Sequence, residues 1–473
     1  MTRKAAAAIV PLAEGFEPPS REDWLALVER TLKGAPVASL TRRTIEGLAI
    51  EPLYEAAEGS SVPARAAPGW DIRAPVRAAS PAAANAQILE ALAGGASSVL
   101  VSLGADGVAA GDAAALASVL EGVLLDVAPV AQDAGFLGPR AADWLAAAAK
   151  GAPSARLAFH LDPLSAFATA GASPGPIEAH LIAAASVAAR LAAPYPQASL
   201  FLASGRPAHE AGGGEAIEVA MAAASALAYA KALARADLSI EAAFSRIVLG
   251  LSVDADYLIS IAKLRAARLV WGKLTAACGV AAPARIEARS SGRMLTAADA
   301  WTNMIRLTAA GLAGAVGGTD AIVLGAFTDA IGAPTEFARR QARNAQLVLM
   351  EEASLGRVSD PAAGCGYIEA MTESLARAAW ERLQAIEAAG GIVSALEGGL
   401  VARHVEEGRQ ELARRIAARE LRVLGVTDFP APEADPPATE ATVAQTIEPP
   451  SPRLPGPDSH CPPLAPIRLE ALA

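Results

Sequence analysis

Between residues 67 and 326, short β-branched runs alternate with Ala-rich stretches of helical length, and this alternation narrows the fold more than any other feature. A crossover of a dozen or more residues returns the chain to the same end of a sheet, so successive strands pair in parallel. The expected strands are Trp70–Val76, Ser98–Leu103, Gly122–Val127, Arg156–Leu161, Ser199–Ala203, Arg246–Ser252, Arg285–Arg289 and Ala321–Leu324. Eight units point to an α/β protein of the (β/α)8 barrel type, whose active face lies at the C-terminal ends of the strands. A doubly wound open sheet shows the same alternation and stands as the alternative.

The flanks differ. Residues 1–66 read as an extended arm in which Trp24, Leu25, Leu27, Val28 and Leu32 share one helical face that Gly34 can end. Such a face needs a second surface, this chain's or a partner's. Residues 67–334 form the barrel. Residues 335–426 read as helices packed on it, over Phe337–Leu355, Tyr367–Ala389 and Val393–Leu421, with Gly390-Gly391 and Gly398-Gly399 as punctuation. From 427 to 473 the composition turns to Pro, Ala, Glu and Thr, with 12 of the 33 prolines, and a disordered tail is expected.

Fifty acidic against forty basic side chains give a net charge of −10, which argues against nucleic acid or an anionic membrane as partner. The mean hydropathy is positive at +0.31, but the most apolar stretches are rich in Ala and broken by polar residues, so no membrane span is expected. The three cysteines, Cys278, Cys365 and Cys461, are odd in number and far apart, as in a reducing compartment, and the cytoplasm is the expected location. Gly212-Gly213-Gly214 lacks the Lys-Ser/Thr of a phosphate loop. No Ser-His-Asp or Cys-His set assembles from the sequence, and no metal site is expected.

Asp256 to Trp271 resembles the helix that follows the sixth strand in the methylmalonyl-CoA mutase family. As an ordinary amphipathic helix it would pack Leu258, Ile261, Leu264 and Leu269 inward and leave Lys263, Arg265 and Arg268 solvated. Further family-like segments occur in family order. They are Trp24, Leu32-Lys33-Gly34, Thr44, Glu46-Gly47 and Glu51-Pro52-Leu53-Tyr54; then Trp70-Asp71-Ile72-Arg73, Ser204-Gly205 and Glu210-Ala211-Gly212. Arg289-Ser290-Ser291, Leu295-Thr296, Asn303-Met304-Ile305-Arg306 and Gly317-Gly318-Thr319 follow, then Ala342-Arg343-Asn344-Ala345-Gln346, Glu351-Glu352, Asp360-Pro361 and Gly390-Gly391. The resemblance spans residues 24–425 and implies closure of the barrel.

The resemblance also shows departures. Catalytic chains of the family hold the substrate with a Tyr after the first-strand Arg and a His after the fifth-strand Ser-Gly; matching the motifs places Pro75 and Pro207 there. Proline offers neither a side-chain donor nor a backbone N–H. No catalytic residue is therefore expected. His209, His160 and Asp329 are the polar residues expected at the barrel mouth, each with a structural role as the competing reading. Arg289 and Ser291 match positions that contact the phosphate part of coenzyme A, against the alternative of an Arg289–Glu287 pair. The family's Asn and acidic pair after the eighth strand fall on Gly325 and on Thr328-Asp329. Asp458-Ser459-His460 imitates the start of the family's cobalamin-binding motif, but Pro463 stands at its Gly, so His460 and Cys461 are expected to be incidental in a flexible tail.

These observations imply a small subunit without the cobalamin-binding domain. It would be non-catalytic and paired in a heterodimer with a large catalytic subunit that binds adenosylcobalamin and interconverts methylmalonyl-CoA and succinyl-CoA. The alternatives are a substrate-binding chain that works with a separate cobalamin-binding subunit, and an acyl-CoA-binding scaffold without mutase activity.

Overall fold

The structure is a computed structural model that describes residues 15, 19–59, 62–104, 107–152, 154–430, 435–441 and 452–473. It divides into two units, Met1–Tyr54 and Glu55–Ala473. In the first, helix α1 (Arg21–Leu32) starts at a capping box: Ser20 Oγ accepts from Asp23 N, and the Asp23 carboxylate accepts from Ser20 N. Lys33 and Gly34 then take positive φ and end the helix, close to the expected stop. No residue of α1 is buried. Arg42–Arg43 and Ala49–Ile50 pair as a short antiparallel ladder.

In the second unit, eight parallel strands close into a barrel. They are β1 (Asp71–Val76), β2 (Ser98–Ser102), β3 (Val130–Asp133), β4 (Leu157–Leu161), β5 (Ser199–Ser204), β6 (Ile247–Val253), β7 (Ile286–Ser290) and β8 (Ala321–Val323), each paired with the next and β8 with β1. Closure leaves no sheet edge to template aggregation. β5 and β6 are buried at every position, as strands covered on both faces must be.

Seven strands fall where the sequence places them; the third does not. Gly122–Val127 is a turn region with Leu124 and Val127 about 70% exposed, and the strand begins after Pro129. The true strand reads Val-Ala-Gln-Asp, too short and polar to outweigh the apolar run before it.

The crossover helices are α2 (Pro81–Ala93), α3 (Ala113–Val119), α4 (Gly138–Ala148), α5 (Pro163–Ala170), α6 (Ile177–Ala192), α7 (Arg206–Glu210), α8 (Glu215–Arg235), α9 (Ile240–Ser245), α10 (Tyr257–Ala277) and α11 (Asn303–Val316). α8 alone among the described helices is long and apolar enough to cross a membrane, yet 78% of its most apolar window is buried against the rest of the fold. α10 departs from the simple amphipathic reading: Lys263, Arg265 and Arg268 are buried, not solvated. Each has a carboxylate partner, Glu218 for Lys263, Asp360 and Glu369 for Arg265, and Asp320 for Arg268.

Residues 335–426 form α12 (Glu336–Leu347), a π-turn over Val348–Glu352, α13 (Gly366–Ala388), α14 (Ile392–Glu397) and α15 (Leu400–Ala417). The expected helix Val393–Leu421 is split at Gly398-Gly399, where Gly399 sits at φ +71°. Residues 431–434 and 442–451 of the expected tail lie outside the described residues. The rest of the tail corrects the expectation of disorder: Thr439–Glu440 pairs with Ala333–Pro334, and residues 452–473 run as a belt against the barrel with Cys461 and Leu464 buried. Its prolines fix an extended path that needs no ladder partner on one side, which composition alone reads as disorder.

Candidate functional site

Side chains alternate across a strand, so every second residue points into the barrel. Val99, Val101, Val130, Leu157 and Phe159 face out into the main apolar core, while Leu100, Ala131, Ala158 and Val323 form a small cluster inside. The same inward parity carries Arg73 on β1, Asp133 on β3, His160 on β4, and Glu287 and Arg289 on β7. The charged groups among them pair, though Arg289 Nη2 and both His160 ring nitrogens are buried without a hydrogen-bond partner. Glu287 binds Arg73 through one oxygen and Arg289 Nε at 2.7 Å through the other, and Arg289 Nη1 continues to Asp133 Oδ2 at 2.6 Å. Arg73 Nε also donates to Ser98 Oγ at 3.1 Å. The barrel interior thus holds a continuous chain of ion pairs.

Burial alone would raise the Glu287 carboxyl; Arg289 foremost, with His160 and Arg73, overcomes it and holds the group well below the usual carboxylate range. His160 lies in the same space, its Nδ1 3.9 Å from Glu287 Oε2, and neither ring nitrogen has a hydrogen-bond partner. Burial pushes its pKa down to about 4 against the pull of Glu287, so the ring is neutral. Its backbone has φ +42°, at the point where the β4–β5 register shifts. A non-glycine residue held there costs of order 1–3 kcal/mol.

The rim after β5 is built on close approach. A Cβ on Gly205 would lie 1.9 Å from the Glu218 carbonyl oxygen, so only glycine lets α7 turn against α8. Pro207 stands in the first turn of α7, where a missing N–H costs nothing. Pro75 shares the inward parity of Arg73. Neither supplies a donor to polarise a carbonyl.

His209 sits at the rim but is closed off from solvent. It is fully buried between α7, α8 and α10, beside Glu218, Lys263, Asp254 and Arg293. Ser291 Oγ donates to Glu210 Oε2 at 3.2 Å, within a turn in which the same oxygen accepts from Gly292 N and Arg293 N. Asp329 closes the turn after β8 by accepting from Ala326 N at 2.9 Å, and burial raises its pKa. Arg289 takes the Glu287 pairing. The structure therefore brings His160 and Arg289 together inside the barrel, Ser291 to Glu210, and Asp329 into the turn after β8.

Sequence reading gave Glu287 as the alternative partner of Arg289 and placed Lys263 in solvent, and it missed Asp133, Glu218, Asp254 and Arg293 as network members. One signal was present: Glu287 and Arg289 are two apart on a strand between apolar neighbours, which puts both charges on one face.

The belt crosses the C-terminal rim. Leu454 N donates to Pro174 O, Cys461 N to Gly171 O, Leu464 N to Ala168 O, Ile467 N to Glu210 O and Leu469 N to Arg293 O, at 2.8–2.9 Å. Glu470 accepts from Ala297 N at 2.7 Å. His460 is held in a backbone bridge to Ala172 and burial pushes the Cys461 thiol up to about 11, so neither residue is incidental to the fold. A cavity of about 480 Å³ lies between the belt residues Pro462–Ala465, Ala211 and the start of α15, outside the lumen.

The family model described as methylmalonyl-CoA mutase matches residues 95–449. A methylmalonyl-CoA mutase small subunit of Streptomyces virginiae is 35% identical over 448 residues, covering 89% of this chain and 72% of that protein. The chain belongs to the methylmalonyl-CoA mutase family. A probable small subunit of Mycobacterium tuberculosis is 37% identical over 358 residues, 73% of this chain and 56% of that protein. A methylmalonyl-CoA mutase large subunit of Streptomyces virginiae is 33% identical over 230 residues, 48% of this chain and 31% of that protein. The match to the Streptomyces virginiae small subunit thus extends over more of the chain than the match to the large subunit.

Mutases of this family use adenosylcobalamin, and the described residues do not fit it. His460 is tied into the belt, and no compact domain beyond the barrel and its helices supplies a corrin socket among the described residues. At Arg289, Nε and Nη1 are engaged by Glu287 and Asp133, while Nη2 is buried without a hydrogen-bond partner.

Proposed function

We propose that this chain is the small, non-catalytic subunit of a heterodimeric adenosylcobalamin-dependent methylmalonyl-CoA mutase. A large partner subunit binds the cofactor and interconverts methylmalonyl-CoA and succinyl-CoA. The observation that carries the reading is the barrel interior: an Arg73–Glu287–Arg289–Asp133 chain fills it, and prolines stand at both positions where the family's catalytic chains place a donor. The cofactor's radical chemistry needs a site that excludes water and positions a thioester, and this interior positions only its own charges. The unburied face of α1 supports the arm as a subunit contact, and Arg289 and Ser291, as well as His160, His209 and Asp329, act in this reading as structural groups.

The test is reconstitution. The purified chain is assayed for methylmalonyl-CoA isomerisation with adenosylcobalamin in three forms: alone, with a stand-alone cobalamin-binding protein, and with the large subunit of its own organism. Turnover only in the third, with the two chains co-eluting, is expected. Turnover in the second establishes a split mutase instead, and tight coenzyme A binding without any association favours an acyl-CoA scaffold.

A further inference from the structure

His209 sits in a closed space with a carboxylate at each ring nitrogen. Nδ1 is 3.3 Å from Glu218 Oε2 of α8, and Nε2 is 3.6 Å from Asp254 Oδ2 of the loop after β6. Each carboxylate already has a cation: Lys263 of α10 lies 2.5 Å from Glu218, and Arg293 of the loop after β7 lies 3.1 Å from Asp254. Arg206 and Glu210, on α7 itself, pair at 3.5 Å.

A neutral imidazole has one donor and one acceptor nitrogen. It can satisfy one carboxylate and must turn its lone pair toward the other. A proton on the ring repairs that contact but puts a third positive charge where two negatives are already matched. Burial first, then Arg293 and Lys263, hold the ring's pKa below its usual value. The site is therefore balanced with the ring neutral and overcharged when it is protonated.

The same residues anchor the belt. The Glu210 carbonyl accepts from Ile467 N and the Arg293 carbonyl from Leu469 N. Arg293 Nη1 in turn donates to the carbonyls of His209 and Gly213, at 3.1 and 2.9 Å. Repelling Arg293 from a charged His209 breaks the contacts that hold α7 to the rim, and with them two anchors of the belt.

We propose that His209 is a proton-operated latch: neutral, it keeps α7 on the barrel rim and the Ile467–Leu469 segment of the belt on α7 and the loop after β7, and on protonation it releases that segment while the barrel stays closed. Two anchor points move together because one arginine serves both.

Hydrogen–deuterium exchange of the full chain at pH 7.5 and 5.0, corrected for intrinsic rates, tests this. The belt amides of Ile467 and Leu469 are expected to lose up to about thirtyfold protection at pH 5.0, the factor set by proton uptake of a released imidazole of ordinary pKa between the two pH values, relative to amides of β6. His209→Gln keeps a donor and an acceptor without a titration, and its belt protection is expected to be equal at both pH values. Unchanged protection in the native chain, or an equal loss in His209→Gln, overturns the latch. Should His209→Gln fail to fold, NMR titration of the native imidazole decides. Belt signals that move with the His209 ring support the proposal; a ring that titrates while they stay fixed refutes it.

Discussion

α10 and α15 each carry four Lys or Arg side chains and use them in opposite ways. On α10, Lys263, Arg265 and Arg268 are buried against carboxylates of α8, α13 and two loops. On α15, Glu411, Arg414 and Arg415 bond mainly to each other and to Glu420, largely in solvent. A buried ion is costly to take from water and more costly to leave alone, whereas an exposed pair is screened and loses side-chain entropy. The first network fixes how elements pack; the second leaves packing alone.

The sharpest break in that contrast is Lys263→Met, which strands the fully buried Glu218. A loss of about 3–5 kcal/mol is expected, read as a lower urea midpoint at unchanged slope. A lysine removed from buried surroundings with no such shift would mean that water reaches Glu218.

The next effect concerns His160. The unfolded histidine takes up its proton near pH 6.5, the folded one only near pH 4. The unfolded state therefore gains the proton first, and stability falls as pH drops from 6.5 toward 4, by at most about 3 kcal/mol. His160→Asn is expected to remove that share of the slope; identical pH profiles of unfolding free energy in the two proteins would place the ring in contact with solvent.

The smallest effect is on α15. Arg414→Ala is expected to leave the thermal midpoint unchanged within error at moderate salt. A measurable drop would show that the surface network supports packing after all.

The barrel was legible because it rests on periodicity. Seven strands and α13 stood out by alternation or by three-and-four spacing, whereas Val130–Asp133 was hidden by the more apolar Gly122–Val127 beside it. Pro75 and Pro207 were legible as missing donors, because proline's chemistry is local. The charge network was not, for Glu287 meets Arg73 across 214 positions and Lys263 meets Glu218 across 45. Nothing local marks such partners, and a lysine among leucines reads as a solvated one. The belt was misread for a related reason: its hydrogen bonds are made with residues hundreds of positions earlier, and composition carries no trace of them.

That last feature bears on how the protein is made. The belt's Asp458 and Cys461 bond to residues 283 and 294 positions upstream, so they have nothing to grip until the β4 to β5 region has been synthesised and shaped. The belt docks after the region it grips, and segments joined late over long loops are the natural first points of local opening. A protease that nicks the native protein should therefore find its earliest foothold in the belt, leaving the cylinder intact.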